Sequence, residues 1–287
     1  MSAVIAQVQA EAQTRRRTRR SVTLTVGIVL VGLIVLTALV SLVWLPYPTS
    51  DLGGGRLAPP SAAHWIGTDK LGRDLFSQLM VGARIALLVG AGSVVVGTLI
   101  GVTLGLLAAH AISWIDDTLS AILDILIAFP TLLLAMLIVA AQGASIGAAI
   151  LAIGLAMSAV VARLTRVLAR RVLQMPYVTA ARTSGTGWWG NIWQHIMPNI
   201  WPTLSVNLAL QFGVAVLAEA SLSYLGLGTP PPNASWGRML QEAQSTVAIA
   251  PAGAIAPGLA LVVLVIGVNL VADGLRDVAD PTRRRTR

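Results

Sequence analysis

Runs of about 20 residues almost free of charge recur along this chain, and each matches the roughly 30 Å hydrocarbon core of a bilayer at 1.5 Å per helical residue. In hydrocarbon every backbone N–H and C=O must be paired within the protein, which a helix does by itself. The expected fold class is therefore an all-α integral membrane protein. Composition agrees, since 55% hydrophobic with 11% charged residues is incompatible with an ordinary soluble domain. Six transmembrane helices are expected, at about 22 to 45, 84 to 109, 119 to 140, 143 to 163, 200 to 223 and 253 to 273. The link between the third and fourth, around Ala141 to Ala144, is the least sharply marked, because Gly143 and Gly147 also suit a helix interior.

Charge orients these spans. A polar N-tail, 1–21, ends in RRRTRR, and the run after it is too long for a signal-peptide core and lacks a cleavage site. Trp44 and Tyr47 follow it where an interfacial aromatic belt is expected. Of the 20 Lys and Arg residues, five lie in the N-tail, five between 163 and 198, and five from Arg276 onward. Arg56, Lys70, Arg73, Arg84 and Arg238 fall on the opposite side. By the positive-inside rule both termini are cytoplasmic, and the net charge of +8 reports topology rather than nucleic-acid binding. The membrane region then covers 22–273, with an external segment at 46–80, a cytoplasmic loop at 164–198, an external loop at 224–252 and a basic C-tail at 274–287.

The loop from Tyr177 to Asn199, YVTAARTSGTGWWGNIWQHIMPN, stands apart from the apolar chain around it. Pro176 suits a first helical turn, and Gly185 suits the left-handed residue just past a helix end. The few residues between them cannot hold a helix in water unaided. The segment is thus either a short helix that needs a partner or an ordinary connecting loop. Upstream, Arg163, Arg166 and Arg170 share one arc of a helix, a basic face turned to the cytoplasm or to anionic headgroups.

Thr179-Ala180-Ala181, then Gly185, then His195-Ile196-Met197-Pro198-Asn199 resembles the EAA loop of bacterial ABC importer permeases. The stretches HWIGTDKLGRDLFSQLMVGAR, EASLSYLGLGTPPPNASWGRML and NLVADGLRDVADP extend the resemblance to the inner-membrane permeases of dipeptide, oligopeptide and nickel importers, specifically the second permease subunit. The resemblance implies a type I ABC importer permease fold in the bacterial plasma membrane, forming half of a translocation pathway. It implies a coupling helix of Tyr177, Val178, Thr179, Ala180, Ala181 and Arg182, closed by Gly185, that docks on an ATPase subunit. Thr179 departs from the family's usual Glu, which removes a charged contact. Partners implied are a second permease, ATPase subunits and an external solute-binding protein, besides membrane lipid and without nucleic acid. The imported solute would be a dipeptide or oligopeptide, with nickel, glutathione or haem as alternatives. The resemblance also marks His64, Gly67, Asp69, Gly72, Arg73 and Asp74 as a packed external motif.

Ionisable residues at bilayer depth are costly and face an interior, a cavity or a partner. Asp124 either sits near the cytoplasmic interface or pairs across helices, because Ala121 stands where the family commonly has Arg. Asn207, Gln211 and Glu219 project to one side of the fifth span, a face that lines a translocation path or packs on the partner permease. Pro130 should kink the third span. Gly97, Gly101 and Gly105 repeat every four residues, the pattern of close helix packing.

No metal site is expected: Asp69-Lys70 and Arg73-Asp74 offer His64, Asp69 and Asp74 charge partners rather than a ligand set. With no cysteine there is no thiol chemistry or disulfide framework. The chain has no GxxxxGK[ST] loop, so no cofactor is expected on it, and ATP and Mg belong to its partners. A self-sufficient secondary transporter would be expected to show an internal repeat, and none is evident. An intramembrane hydrolase has no nucleophile turn to build on, and His110 and His195 fall at helix ends.

Overall fold

The computed structural model describes residues 2–230 and 233–279, with side chains from 22 to 230 and from 233 to 277. The basic side chains of the N-tail, and those of the C-tail beyond 277, lie outside the described residues. The elements are α1 (Ser2–Val43), α2 (Leu75–His110), α3 (Ser113–Ala128), α4 (Thr131–Gln142), α5 (Ile146–Leu173), α6 (Pro176–Thr183), α7 (Trp188–Gly190), a π-helical turn (Asn191–Ile196), α8 (Met197–Tyr224), α9 (Trp236–Ala243) and α10 (Ala252–Ala279). Among the described residues five helical stretches are long and apolar enough to cross a bilayer: Val22–Val43, Leu75–His110, Ile146–Leu173, Trp188–Tyr224 and Ala252–Asp277.

The expected span at 119–140 is a broken pair. Pro130 sits at the N-cap of α4, and α3 and α4 meet at 89°. At 16 and 12 residues, neither reaches the roughly 30 Å of hydrocarbon alone. The pair is a sixth span only if both halves cross together. The link to α5 is real: Gly143 takes φ +85°, and Ser145 caps α5 by accepting from Ala148 N at 3.0 Å.

Three other boundaries move. α2 begins at Leu75 rather than near 84, because Asp74 accepts from Ser77 N at 2.7 Å and caps it. α5 runs on to Leu173, since Ala162, Thr165, Ala169 and Val172 continue its buried stripe. The second half of the expected loop is helix: α7, the π turn and α8 form one stretch, Trp188–Tyr224, because Ile192, Ile196 and Ile200 bury one continuous face.

α2 and α5 pack at the centre through the glycine stripe. A Cβ on Gly101 would lie 2.7 Å from Ser158 O, and one on Gly105 2.5 Å from Ala162 O, so only glycine lets the backbones meet there. α8 lies across both, α10 packs on α8, and α1 packs on α10. At one end of the bundle Trp236 anchors α9, its Nε1 donating to Leu79 O at 3.0 Å. α6 occupies the other end.

Candidate functional site

α6 is built as its sequence suggests. Pro176 stands in the first turn, and the chain leaves through Gly185 at φ +91°. Thr186 N donates to Ala181 O at 3.0 Å and Gly185 N to Arg182 O at 3.1 Å, the paired bonds of a Schellman stop. One side chain fixes the helix to the bundle. Val178 is fully buried among Leu106, Ala169, Val172, Ile192, Ile196 and Ile200, contributed by α2, α5, the π turn and α8. The remaining face is open: Tyr177, Thr179, Ala180 and Arg182 are exposed and Ala181 is half-buried. Tyr177 lies edge-on to His195 with ring centroids 5.9 Å apart. An open cleft of about 420 Å³ separates Arg182 from His110, Arg170 and Gln174, so α6 is held on one side only.

The arginines above α6 are only in part a solvated face: Arg163 and Arg170 are well exposed, whereas Arg166 is mostly covered. Arg166 donates from Nε and Nη2 to the two carboxylate oxygens of Asp116 at 2.6 and 2.8 Å. Arg170 Nη2 reaches Asp116 Oδ2 at 2.6 Å. Asp116 is buried at the start of α3, so both arginines turn inward to neutralise it. Arg163 pairs with Asp124 at 3.2 Å, which settles the open question there: Asp124 pairs across helices, with both side chains exposed. Asp116 itself was not singled out in the sequence. Its partners lie 50 residues away, and the only signal was a row of arginines without a local acid.

At the opposite end, His64, Gly67, Asp69, Gly72, Arg73 and Asp74 assemble into one module. The expected charge pairs are exchanged. Asp69 pairs with Arg73 at 2.6 Å rather than with Lys70, and Asp74 pairs with His64 Nδ1 at 3.0 Å rather than with Arg73. Asp69 also accepts from Leu71 N, Arg73 N and Gln78 Nε2, which occupies both of its oxygens with donors. Arg73 reaches on to Glu242, locking the module to α9. Gly67 and Gly72 take φ +91° and +88°, conformations that side chains resist. Among the described residues no three His, Asp or Glu side chains are grouped to hold a metal ion.

Asn207, Gln211 and Glu219 do not present one uniform face. Their line drifts about 40° every four residues. Asn207 and Gln211 are half-buried, whereas Glu219 is 1% exposed. It accepts from Ser223 Oγ at 2.6 Å on Oε1, with the hydroxyls of Thr229 and Ser235 beside the same carboxyl group. Its surroundings belong to this chain, at the turn that leads to α9.

Comparison with known proteins places this architecture. Residues 101–285 match the family model described as the binding-protein-dependent transport system inner membrane component. The glutathione transport system permease protein GsiD of Pectobacterium atrosepticum is 42% identical over 222 residues, 77% of this chain and 74% of that protein. The dipeptide transport system permease protein DppC of Alkalihalophilus pseudofirmus is 38% identical over 258 residues, covering 88% and 85%. A putative peptide transport system permease protein of Brucella suis biovar 1 is 37% identical over 270 residues, covering 93% and 90%. The crystal structure of an amino acid ABC transporter with histidines shares the fold at a TM-score of 0.53 and 20% identity, over 72% of this chain and 94% of its own. With its bundle of apolar helices, the chain belongs to the inner-membrane permease family of binding-protein-dependent ABC transporters and is a multi-pass membrane protein of bacterial type.

Proposed function

We propose that the chain is one of two permease subunits of an ATP-driven importer for dipeptides and short oligopeptides, and that α6 is its coupling helix. The observation that carries this reading is the way α6 is mounted. Val178 roots it in four other elements, while Tyr177, Thr179, Ala180 and Arg182 are left for a partner. A short helix with one buried anchor and an open face is a lever that needs a socket. The socket belongs to an ATPase subunit, which binds ATP and Mg, and this chain performs no chemistry of its own. Thr179 gives that contact no charge, so docking relies on Tyr177 and on close approach at Ala180 and Ala181.

Solute is delivered by an external binding protein to the end that carries the 46–74 module and α9. Asn207 and Gln211 face the path or the second permease, whereas Glu219 holds the turn beside it. Relatives named for dipeptide, peptide and glutathione transport support a peptide substrate, glutathione being itself a tripeptide.

The test is co-expression with the neighbouring genes. A tagged chain is expected to bring down a second permease and ATPase subunits, and in lipid a peptide-loaded binding protein is expected to raise ATP hydrolysis. Purification alone, with solute movement that needs no ATP, would overturn the reading in favour of a secondary transporter.

A further inference from the structure

The buried carboxylate of Asp116 ties the start of α3 to the last stretch of α5. Arg166 and Arg170 lie one turn apart on the last stretch of α5, and α6 begins just after that helix ends. Asp116 lies in the first turn of α3, the first half of the broken pair. Both of its oxygens are engaged, with Arg166 in a two-point fork and Arg170 closing on Oδ2. Eight residues further along α3, Asp124 meets Arg163, so α3 runs antiparallel to α5 and is tied to it at two levels. Between these ties Leu123 packs on Ala159 and Ala162. Beyond them, the chain bends by 89° at Phe129 and Pro130 before α4 begins.

We infer that Asp116 is a positioning residue that makes α3 move with the α5–α6 lever, with the Pro130 break as the joint where that movement is taken up. A fork-type ion pair resists both sliding and rotation, unlike a single apolar contact. Arg170 closes on the same carboxylate from one turn further along α5, so the tie holds at two points of that helix at once. A displacement of α6 is therefore carried by α5 to α3 without passing through the glycine-packed α2–α5 seam. This inference deepens the importer reading, and rests on it for the direction of coupling.

The test uses the assembled transporter with Asp116→Asn, Asp116→Glu and wild type. Three quantities are read: ATPase subunits bound per permease, ATP hydrolysis, and peptide taken up per ATP. Asp116→Asn is expected to keep the ATPase subunits and lose about fivefold in uptake per ATP, in line with ordinary coupling strengths. Asp116→Glu is expected to restore most of it. A merely structural role would lower yield, hydrolysis and uptake together, leaving their ratio unchanged, and that result overturns the inference. Spin labels at Ser120 on α3 and Val167 on α5 give a second readout on the chain itself. Asp116→Asn should broaden the distance between them, and an unchanged distribution likewise overturns it. A wild-type chain that brings down no ATPase would count against the importer reading, while the spin-label distances would still decide whether Asp116 ties α3 to α5.

Discussion

Gly105 rests directly on the backbone of Ala162: a Cβ built on Gly105 would stand 2.5 Å from the Ala162 carbonyl oxygen. The atom in the way is main chain, which cannot turn aside as the end of a side chain can. Gly105→Ala is therefore expected to push α2 from α5 and to destabilise by about 1–3 kcal/mol, the usual cost of overpacking. Gly32→Ala is the control, because nothing lies within 4 Å of the added carbon. Thermal unfolding of the two variants in one detergent checks this. A Gly105→Ala protein as stable as Gly32→Ala would mean that the two backbones do not touch at this seam.

Gly185 makes a different demand. Space around it is open, but its φ of +91° lies in the left-handed region that L side chains rarely adopt. Gly185→Val is expected to unseat the Schellman stop and misdirect α6, lowering the yield of ATPase subunits co-purified with the chain. Gly185→Asn is expected to spare most of it, since Asn tolerates this conformation better than other residues. Membrane insertion should be normal in both. Equal co-purification of the Val variant and wild type would remove α6 from the coupling role.

Local rules reached a good part of this molecule. The five long spans, the Pro176 start and Gly185 stop of α6, and the glycine stripe follow from hydropathy, cap chemistry and spacing. Those signals act within one or two turns, so they survive whatever surrounds them. What local rules miss is which side chains meet in space. The partners of Asp116 lie on another helix, and Asp69 and Asp74 pair with Arg73 and His64 rather than with their immediate neighbours. In the turn around Gly67 and Gly72 the backbone carries Arg73 toward Asp69 and Glu242, leaving Asp74 to His64 and the α2 cap. The break at Pro130 was foreseen as a kink, but an 89° bend depends on what α3 and α4 each pack against.

That bend bears directly on topology. Five spans put the termini on opposite sides of the membrane, whereas a crossing α3–α4 pair puts them on the same side. Basic residues cluster at the N-tail, between 163 and 198 and after 276, which favours the same side. Fusions of a periplasm-active phosphatase are expected to be inactive at the C-terminus and active in the segment 225–235. An active C-terminal fusion would contradict the parallel packing of α2 and α5, which requires α3–α4 to return the chain to the opposite end of the bundle.

Glu219 is the one carboxylate of α8, at 1% exposure, and no Lys or Arg side chain among the described residues pairs with it. Ser223 Oγ donates to its Oε1 at 2.6 Å and in turn accepts from Thr229 N at 3.2 Å. The carboxylate thus orients a hydroxyl that holds the start of the segment leading to α9. Glu219→Gln keeps the Oε1 acceptor and the shape of the side chain, so folding and complex yield should hold. Glu219→Leu fills similar space but strands the Ser223 hydroxyl, and an unpaired buried polar group costs about 1–3 kcal/mol. The Leu variant should therefore unfold at lower temperature and loosen the 225–235 segment, seen as faster proteolysis there. If Gln fails as badly as Leu, the charge itself is needed and the residue acts on more than this turn. If both behave as wild type, Ser223 holds the turn without help from Glu219.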